Sequence, residues 1–310
     1  MLVKKFVPCI YLYRQHAVRG LNDTTIVETD PLRLVQLYNE NNADELIVFD
    51  MSEDDASHEE ALDMLKEICA LAEVDVIGAG NVKRMEDIKK LLYAGCKKAV
   101  LDYEKEANIA ITEEVSLKFG KDKILLSFEE PEVLAANKEL IETYVSGMIL
   151  MNPHKIRETE AVTDLSFYVQ VRQIALNKLM EIFAYDKVCG VTGNTINDNY
   201  KELLSLKGLC RENGIQVETF EAAYHWEDFK KNSDGMVPVV VQDYRTQEVL
   251  MVAYMNEEAY EQTLVLGKMT YYSRSRQELW LKGATSGHFQ YVKSLSADCD
   301  MDTILARVSQ

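Results

Sequence analysis

The chain reads as an α/β protein in which a TIM-type (β/α)8 barrel is followed by a small α+β domain. From Phe6 to Phe220, short apolar runs alternate with segments of helical period, the pattern of parallel strands joined by right-handed crossovers. Eight strand candidates in roughly the usual 250 residues point to a barrel. After Ala223 the signals become closely spaced strands around one helix. The expected division is therefore 1–222 and 223–310.

Phe6 to Ile10 suits a buried strand. Asp30-Pro31 supplies an N-cap and a first-turn proline for a helix bearing Leu34, Val35, Leu37 and Tyr38. Leu46 to Phe49 is the next strand. Leu62, Leu65, Ile68 and Cys69 make Glu59 to Ala72 helical, Val74 to Ile77 is extended, and Ile88, Leu91 and Leu92 make Met85 to Tyr93 helical. Apolar runs at Ala99 to Leu101, Ile124 to Phe128, Met148 to Met151, Val188 to Val191 and Ile215 to Phe220 complete the eight. Asn152 to Tyr185 reads either as one long helix or as strand plus helix. In the second part, Asp243 and Thr246 flank a hairpin turn and Glu248 to Tyr254 returns as a strand. Asn256 caps a helix with Ala259, Tyr260 and Leu264 on its buried side, and Gly267 ends it. Strands at Thr270 to Arg274 and Leu279 to Lys282 complete a small mixed sheet, and Gly283, Ser286 and Gly287 form a loop where backbone can approach a ligand.

The chain carries 34 basic and 51 acidic residues, net −17, which argues against nucleic acid or an anionic membrane as partner. From Ala223 onward there are nine basic and twelve acidic residues, so the cluster of Arg274, Arg276 and Lys282 is a local exception suited to a phosphorylated small molecule. No apolar run reaches membrane-spanning length and the N-terminus lacks a signal-peptide pattern, which predicts a cytoplasmic location. The six cysteines have no close pair in sequence, so no disulfide framework is expected. Cys299 alone sits among acids.

The stretch from Met269 to Asp302 holds the densest chemistry. Alternation around Arg274 and Arg276 favours a strand with both guanidinium groups on one face, as a phosphate requires. If Asp298 to Asp302 is extended, Asp298, Asp300 and Asp302 share one side and Cys299 the other. Hard carboxylates suit magnesium and a thiolate suits zinc. Each feature also has a plainer reading. The arginines fit a solvated face, Trp280 fits a core, His288 fits an ordinary polar residue, and the acids could cap a helix starting at Thr303.

Ser273 to His288 and Asp298 to Asp302, with Asp234 to Val240 and Glu248 to Asn256, together resemble phosphoribosyl-AMP cyclohydrolase, a histidine-pathway enzyme. The resemblance implies magnesium on Asp298, Asp300 and Asp302, zinc on Cys299, a homodimer, and opening of the adenine ring of phosphoribosyl-AMP to the formimino-AICAR ribonucleotide. With it, Arg274, Arg276, Trp280 and Lys282 are the expected substrate-binding residues and His288 the expected proton shuttle. Zinc would need two later cysteines, and the sequence ends at Gln310 before both are expected. The expectation is therefore either a longer parent, as in relatives that continue into a phosphoribosyl-ATP pyrophosphohydrolase domain, or a lost metal centre. The alternative to an enzyme is a non-catalytic assembly protein of the same pathway.

Residues 1 to about 129 resemble the barrel family that includes the cyclase subunit of imidazole glycerol phosphate synthase. Leu2 to Ile10, Val18-Arg19-Gly20, Asp44 to Asp50 and Gly78-Ala79-Gly80-Asn81-Val82 carry the likeness. The family's first catalytic aspartate aligns with Tyr11 and its second with Glu129. Ala79 interrupts a run of three glycines, and no glycine pair stands near Val191 to Asn194. A tyrosine with a pKa near 10 replaces a carboxylate poorly in acid-base work, so the barrel is expected to be degenerate and non-catalytic.

Overall fold

The computed structural model describes residues 2–218 and 223–310. The chain divides into a first unit of residues up to 203 with 210–218, and a second of 204–209 with the C-terminal residues to Gln310. Among the described residues no helix is long and apolar enough to cross a membrane.

The first unit is a (β/α) barrel of eight parallel strand positions. Its first strand is divided at Pro8, which has no amide proton to give a ladder. Lys5–Val7 pairs with Val188–Thr192, and Cys9–Tyr13 pairs with Glu45–Asp50, so this one strand closes the sheet. Asp75–Ala79, Lys98–Asp102, Ile124–Phe128, Gly147–Leu150 and Phe167–Gln170 fill the circuit between them. Side chains alternate with period two. Val7, Cys9, Tyr11, Ile47, Phe49 and Ile77 belong to one buried cluster inside the strands. The intervening Phe6, Ile10, Leu12, Leu46, Val48 and Val76 are buried on the other face.

The helices follow their sequence signals. Asp30 accepts the Leu32 amide at 3.0 Å and caps Pro31–Glu40. The second helix starts earlier than its apolar spacing suggests, at Asp55–Leu71, because Asp54 and Ser57 form a capping box. Met85–Tyr93 lies where expected.

Two expectations need correction. The seventh barrel strand is Phe167–Gln170, and Val188–Thr192 is the eighth. Asn152 to Tyr185 in fact holds a 3-10 turn, the helix Ile156–Val162, this strand and the helix Lys178–Phe183. The run from Ile215 to Phe220 lies partly outside the described residues. Within them Val217 makes one isolated parallel bridge to Lys4 and no barrel strand. A hairpin, His16–Gly20 with Asp23–Glu28, also adds antiparallel strands beside the first strand.

The second unit contains a four-stranded mixed sheet in the order Val249–Met255, Val237–Asp243, Ile304–Ser309, Tyr291–Ala297. Asp243 accepts the amides of Arg245 and Thr246 in the hairpin turn, at 2.9 and 2.7 Å. Asn256 caps Glu257–Leu266 through the Ala259 amide at 2.9 Å. Thr270–Ser273 and Glu278–Leu281 form a separate two-stranded ribbon and do not join the larger sheet. Thr303 leads into a strand, which removes the helix-capping reading of the acids.

In the first strand, odd-numbered residues turn their backbone groups toward the eighth strand, which ends its pairing at Val7↔Thr192. The next odd residue is Cys9, whose amide and carbonyl are both taken by the Asn197 side chain, at 2.8 Å each. Asn197→Ala is expected to leave both groups unpaired and to cost about 1–3 kcal/mol. Urea unfolding followed by circular dichroism measures it, and an unchanged midpoint would contradict this account of barrel closure.

Candidate active site and metal centre

The acids meet in a turn. Residues 298–303 link Tyr291–Ala297 to Ile304–Ser309, whose register closes at Ala297↔Ile304. Met301 adopts a left-handed backbone, φ 64°. Asp298 accepts the backbone amides of Asp302 and Thr303, both at 3.1 Å. Slight desolvation opposes ionisation, but these bonds outweigh it and hold the Asp298 carboxyl below its usual range. The sign follows: this contribution to the turn is present above the ordinary aspartate pKa and is lost as pH falls through the depressed one.

One carboxylate oxygen from each of Asp298, Asp300 and Asp302 lies within 4.8 Å of the others, and all three residues are exposed. Such a set of hard oxygens fits magnesium with water completing its shell. The expected extended geometry is absent, and the turn brings the oxygens together instead. Cys299 is exposed, with Sγ 3.9 Å from an Asp300 oxygen. Among the described residues, no His/Cys/Asp/Glu group of ligating size includes it. A single thiolate does not make a zinc site, which takes at least three protein ligands.

The arginines do not share a strand face. Both lie in the tight turn 274–277, where Gln277 has φ 56°. Arg274 stacks over the Tyr254 ring at 3.8 Å, a partner that sequence spacing did not reveal. Arg276 pairs with Glu278 at 3.3 Å and stands 6.0 Å from the Trp280 ring. Lys282 reaches the same indole at 5.9 Å, so Arg276, Trp280 and Lys282 do come together. Trp280 is half-buried, packing at 5.6 Å against buried Tyr271, whose hydroxyl donates to Gln290 at 2.5 Å. It is thus both core rim and a surface ring between two cations.

His288 is exposed in the next loop, with its amide 3.3 Å from the Ser286 hydroxyl. Gly283 holds that loop at φ 93°, where a Cβ would meet the Phe289 amide nitrogen at 2.4 Å. Only glycine allows this closure.

In the barrel, Tyr11 is buried, stacks on Phe49 at 5.2 Å and accepts a bond from Gln170 at 2.9 Å. Burial pushes its phenol far above the ordinary range. Glu129 is exposed and lines a cavity of about 850 Å³ with Asn152, His154, Arg172 and Lys178. Tyr11 instead lines smaller spaces beside Arg19 and Asn194. Four cysteines are buried, Cys69 is half-buried and Cys299 exposed. Folding brings Cys69 and Cys96 within 3.9 Å, a pair hidden by their separation in sequence.

Residues 251–310 match the family model described as phosphoribosyl-AMP cyclohydrolase, and residues 5–164 match the one described as histidine biosynthesis protein. The phosphoribosyl-AMP cyclohydrolase of Streptococcus mutans serotype c is 61% identical over 83 residues, 27% of this chain and 75% of that protein. That of Streptococcus sanguinis is 58% identical over 83 residues, 27% and 72% of the two chains. That of Clostridium botulinum is 58% identical over 83 residues, 27% and 74% of the two chains.

Asp300 makes no backbone bond that shapes the turn comparable to those of Asp298, so Asp300→Asn removes a charge and spares the fold. Magnesium affinity of the whole chain, titrated calorimetrically, is expected to fall on the order of tenfold, about 1.4 kcal/mol. Equal affinity in the variant would remove the three acids as ligands.

Proposed function

The chain belongs to the phosphoribosyl-AMP cyclohydrolases through its C-terminal part and to the histidine biosynthesis protein family through its N-terminal part, and from this we propose that it hydrolyses the adenine ring of phosphoribosyl-AMP. The observation that carries the reading is the convergence of Asp298, Asp300 and Asp302 inside the segment that matches the cyclohydrolases. Magnesium held there would neutralise substrate phosphate charge. Arg276 and Lys282 offer further cations on either side of Trp280, whose half-exposed indole suits stacking against a purine. Arg274 is held ready by Tyr254. His288, unburied in its loop, moves the proton as water adds to the carbon beside the phosphoribosylated nitrogen and the ring bond opens to the formimino-AICAR ribonucleotide. A homodimer belongs to the same reading.

The barrel takes no part in this chemistry. Tyr11 stays protonated at neutral pH and its hydroxyl is engaged by Gln170, so the acid-base pair of the resembling cyclase is not reproduced. A second reading is a non-catalytic assembly protein of the same pathway, and it is consistent with Cys299 belonging to no group of ligating size among the described residues.

Ring opening followed by ultraviolet absorbance separates the two. Turnover of phosphoribosyl-AMP by the whole chain, reduced on the order of a hundredfold by His288→Ala, supports the first; no turnover with bound substrate supports the second. Glu129→Gln is expected to leave the ring-opening rate unchanged, and a loss there would bring the barrel into the reaction.

A further inference from the structure

Folding sets Cys69 and Cys96 against each other, with their Sγ atoms 3.9 Å apart across 27 positions of sequence. Cys69 lies in the last turn of the helix Asp55–Leu71, and Cys96 in the short connection between the helix Met85–Tyr93 and the strand Lys98–Asp102. Both stand near element ends, where side chains can close on one another without shifting the register of a strand. Two glycines make the room. A Cβ on Gly78 would meet Cys96 Sγ at 2.8 Å. One on Gly95, whose φ is 113°, would meet Cys69 Cβ at 2.8 Å and its Sγ at 3.4 Å. The backbone of residue 95 thus passes directly against the Cys69 side chain and delivers its neighbour Cys96 to it. Other cysteines meet different groups: Cys9 lies 3.6 Å from the Asn197 side-chain nitrogen and Cys210 3.8 Å from the Met180 sulfur.

The two thiols are unequal. Cys69 is half-buried, within reach of solvent, whereas Cys96 is buried at 5% exposure. The Cys96 thiol directed at Cys69 favours the Cys69 thiolate, outweighs the opposing effect of burial, and holds Cys69 below the ordinary thiol range. The same contact, together with burial, keeps Cys96 protonated. An accessible thiolate with a buried thiol behind it is the arrangement that lets one sulfur attack and the other resolve.

We propose that Cys69 and Cys96 form a reversible disulfide by exchange with a low-molecular-weight disulfide, and that this bond staples the helix Asp55–Leu71 to the segment entering the strand Lys98–Asp102. Cys69 attacks one sulfur of the small disulfide, a mixed disulfide forms on Cys69, and the first small thiolate leaves. The charge on Cys69 is then gone, so Cys96 gives its proton to solvent more readily. Its thiolate attacks the Cys69 sulfur and expels the second small thiolate. Two protein thiols are oxidised, and one small disulfide is reduced to two thiols. The sulfurs close from 3.9 Å to the about 2.0 Å of a disulfide. The bond restricts the unfolded chain between the two positions and so stabilises the barrel unit. The proposal does not rest on the ring-opening reading, since both cysteines belong to the first unit.

The test equilibrates the whole chain with reduced and oxidised glutathione in varied ratio, blocks the remaining thiols with iodoacetamide, and maps tryptic peptides by mass spectrometry. The expected result is a species joining residues 67–83 to 91–97, two hydrogens lighter than the separate peptides, that grows with the oxidised share and disappears with dithiothreitol. In Cys96→Ser, glutathione is expected to stay on Cys69. Thermal unfolding followed by circular dichroism should show the oxidised chain melting on the order of 5 °C above the reduced one, a gain absent from Cys96→Ser. If that variant does not fold, Cys69→Ser, at the half-buried member, supplies the same control. No joined peptide under native conditions, a joined peptide formed only in urea, another cysteine as the partner of Cys69, or a joined peptide without a rise in the melting midpoint would overturn the proposal.

Discussion

The barrel closes because one strand pairs on both sides with segments far apart in sequence. Even-numbered residues of that strand address the second strand: the carbonyls of Phe6 and Pro8 accept from Asp44 and Ile47, both at 3.1 Å. Odd-numbered residues address the eighth strand through Val7. The strand changes neighbours at a proline, where the missing amide proton already interrupts the ladder. Beyond that point Asn197 stands in for the absent strand. An irregular closure is thus completed without leaving the buried polar groups of Cys9 unpaired.

Closure also decides what the interior can hold. The space inside the strands is packed with apolar side chains, and the polar tips of Glu45, Tyr168 and Tyr11 that enter it are paired. Glu45 accepts from Lys5 at 2.7 Å and from the Tyr168 hydroxyl at 2.5 Å. Tyr11 accepts from Gln170 and lays its ring on Phe49. In that surrounding a tyrosine fills volume and needs one hydrogen bond, whereas a carboxylate would demand more partners to offset its desolvation. The position that the resembling cyclase gives to an aspartate is therefore well packed here and poorly suited to proton transfer.

Much of this was legible in the sequence because it rests on local signals. Asp30-Pro31, Asn256 and Gly267 are helix boundaries whose hydrogen bonds involve residues a few positions away. The seventh strand was not legible: Phe167–Gln170 is only four residues long, between helices of seven and six, too short for a period to emerge. The His16–Glu28 hairpin was hidden for another reason, since Asp23–Glu28 is almost wholly exposed and has no buried face to write an alternation. Nor could Arg274 and Arg276 be read correctly from spacing. Their turn takes its left-handed residue from Gln277, so the glycine or asparagine that usually marks a turn is missing.

The acid cluster shows how a residue pattern can anticipate that three carboxylates come together and still misjudge the geometry that gathers them. On an extended strand, residues two apart are separated by about 6.6 Å and residues four apart by about 13 Å, so Asp298 and Asp302 could not share one small cation. Their oxygens lie within 4.8 Å because the chain reverses between them. That reversal needs Met301 in the left-handed region, which costs a side-chain-bearing residue about 1–2 kcal/mol. The two backbone amides accepted by Asp298 and the strand pairing at Ala297↔Ile304 offset that cost. One of the three acids therefore builds the turn that gathers the others, and its own carboxyl is held ionised by the same bonds. The closeness of the three carboxylates arises from that turn, between two strands whose pairing fixes its ends.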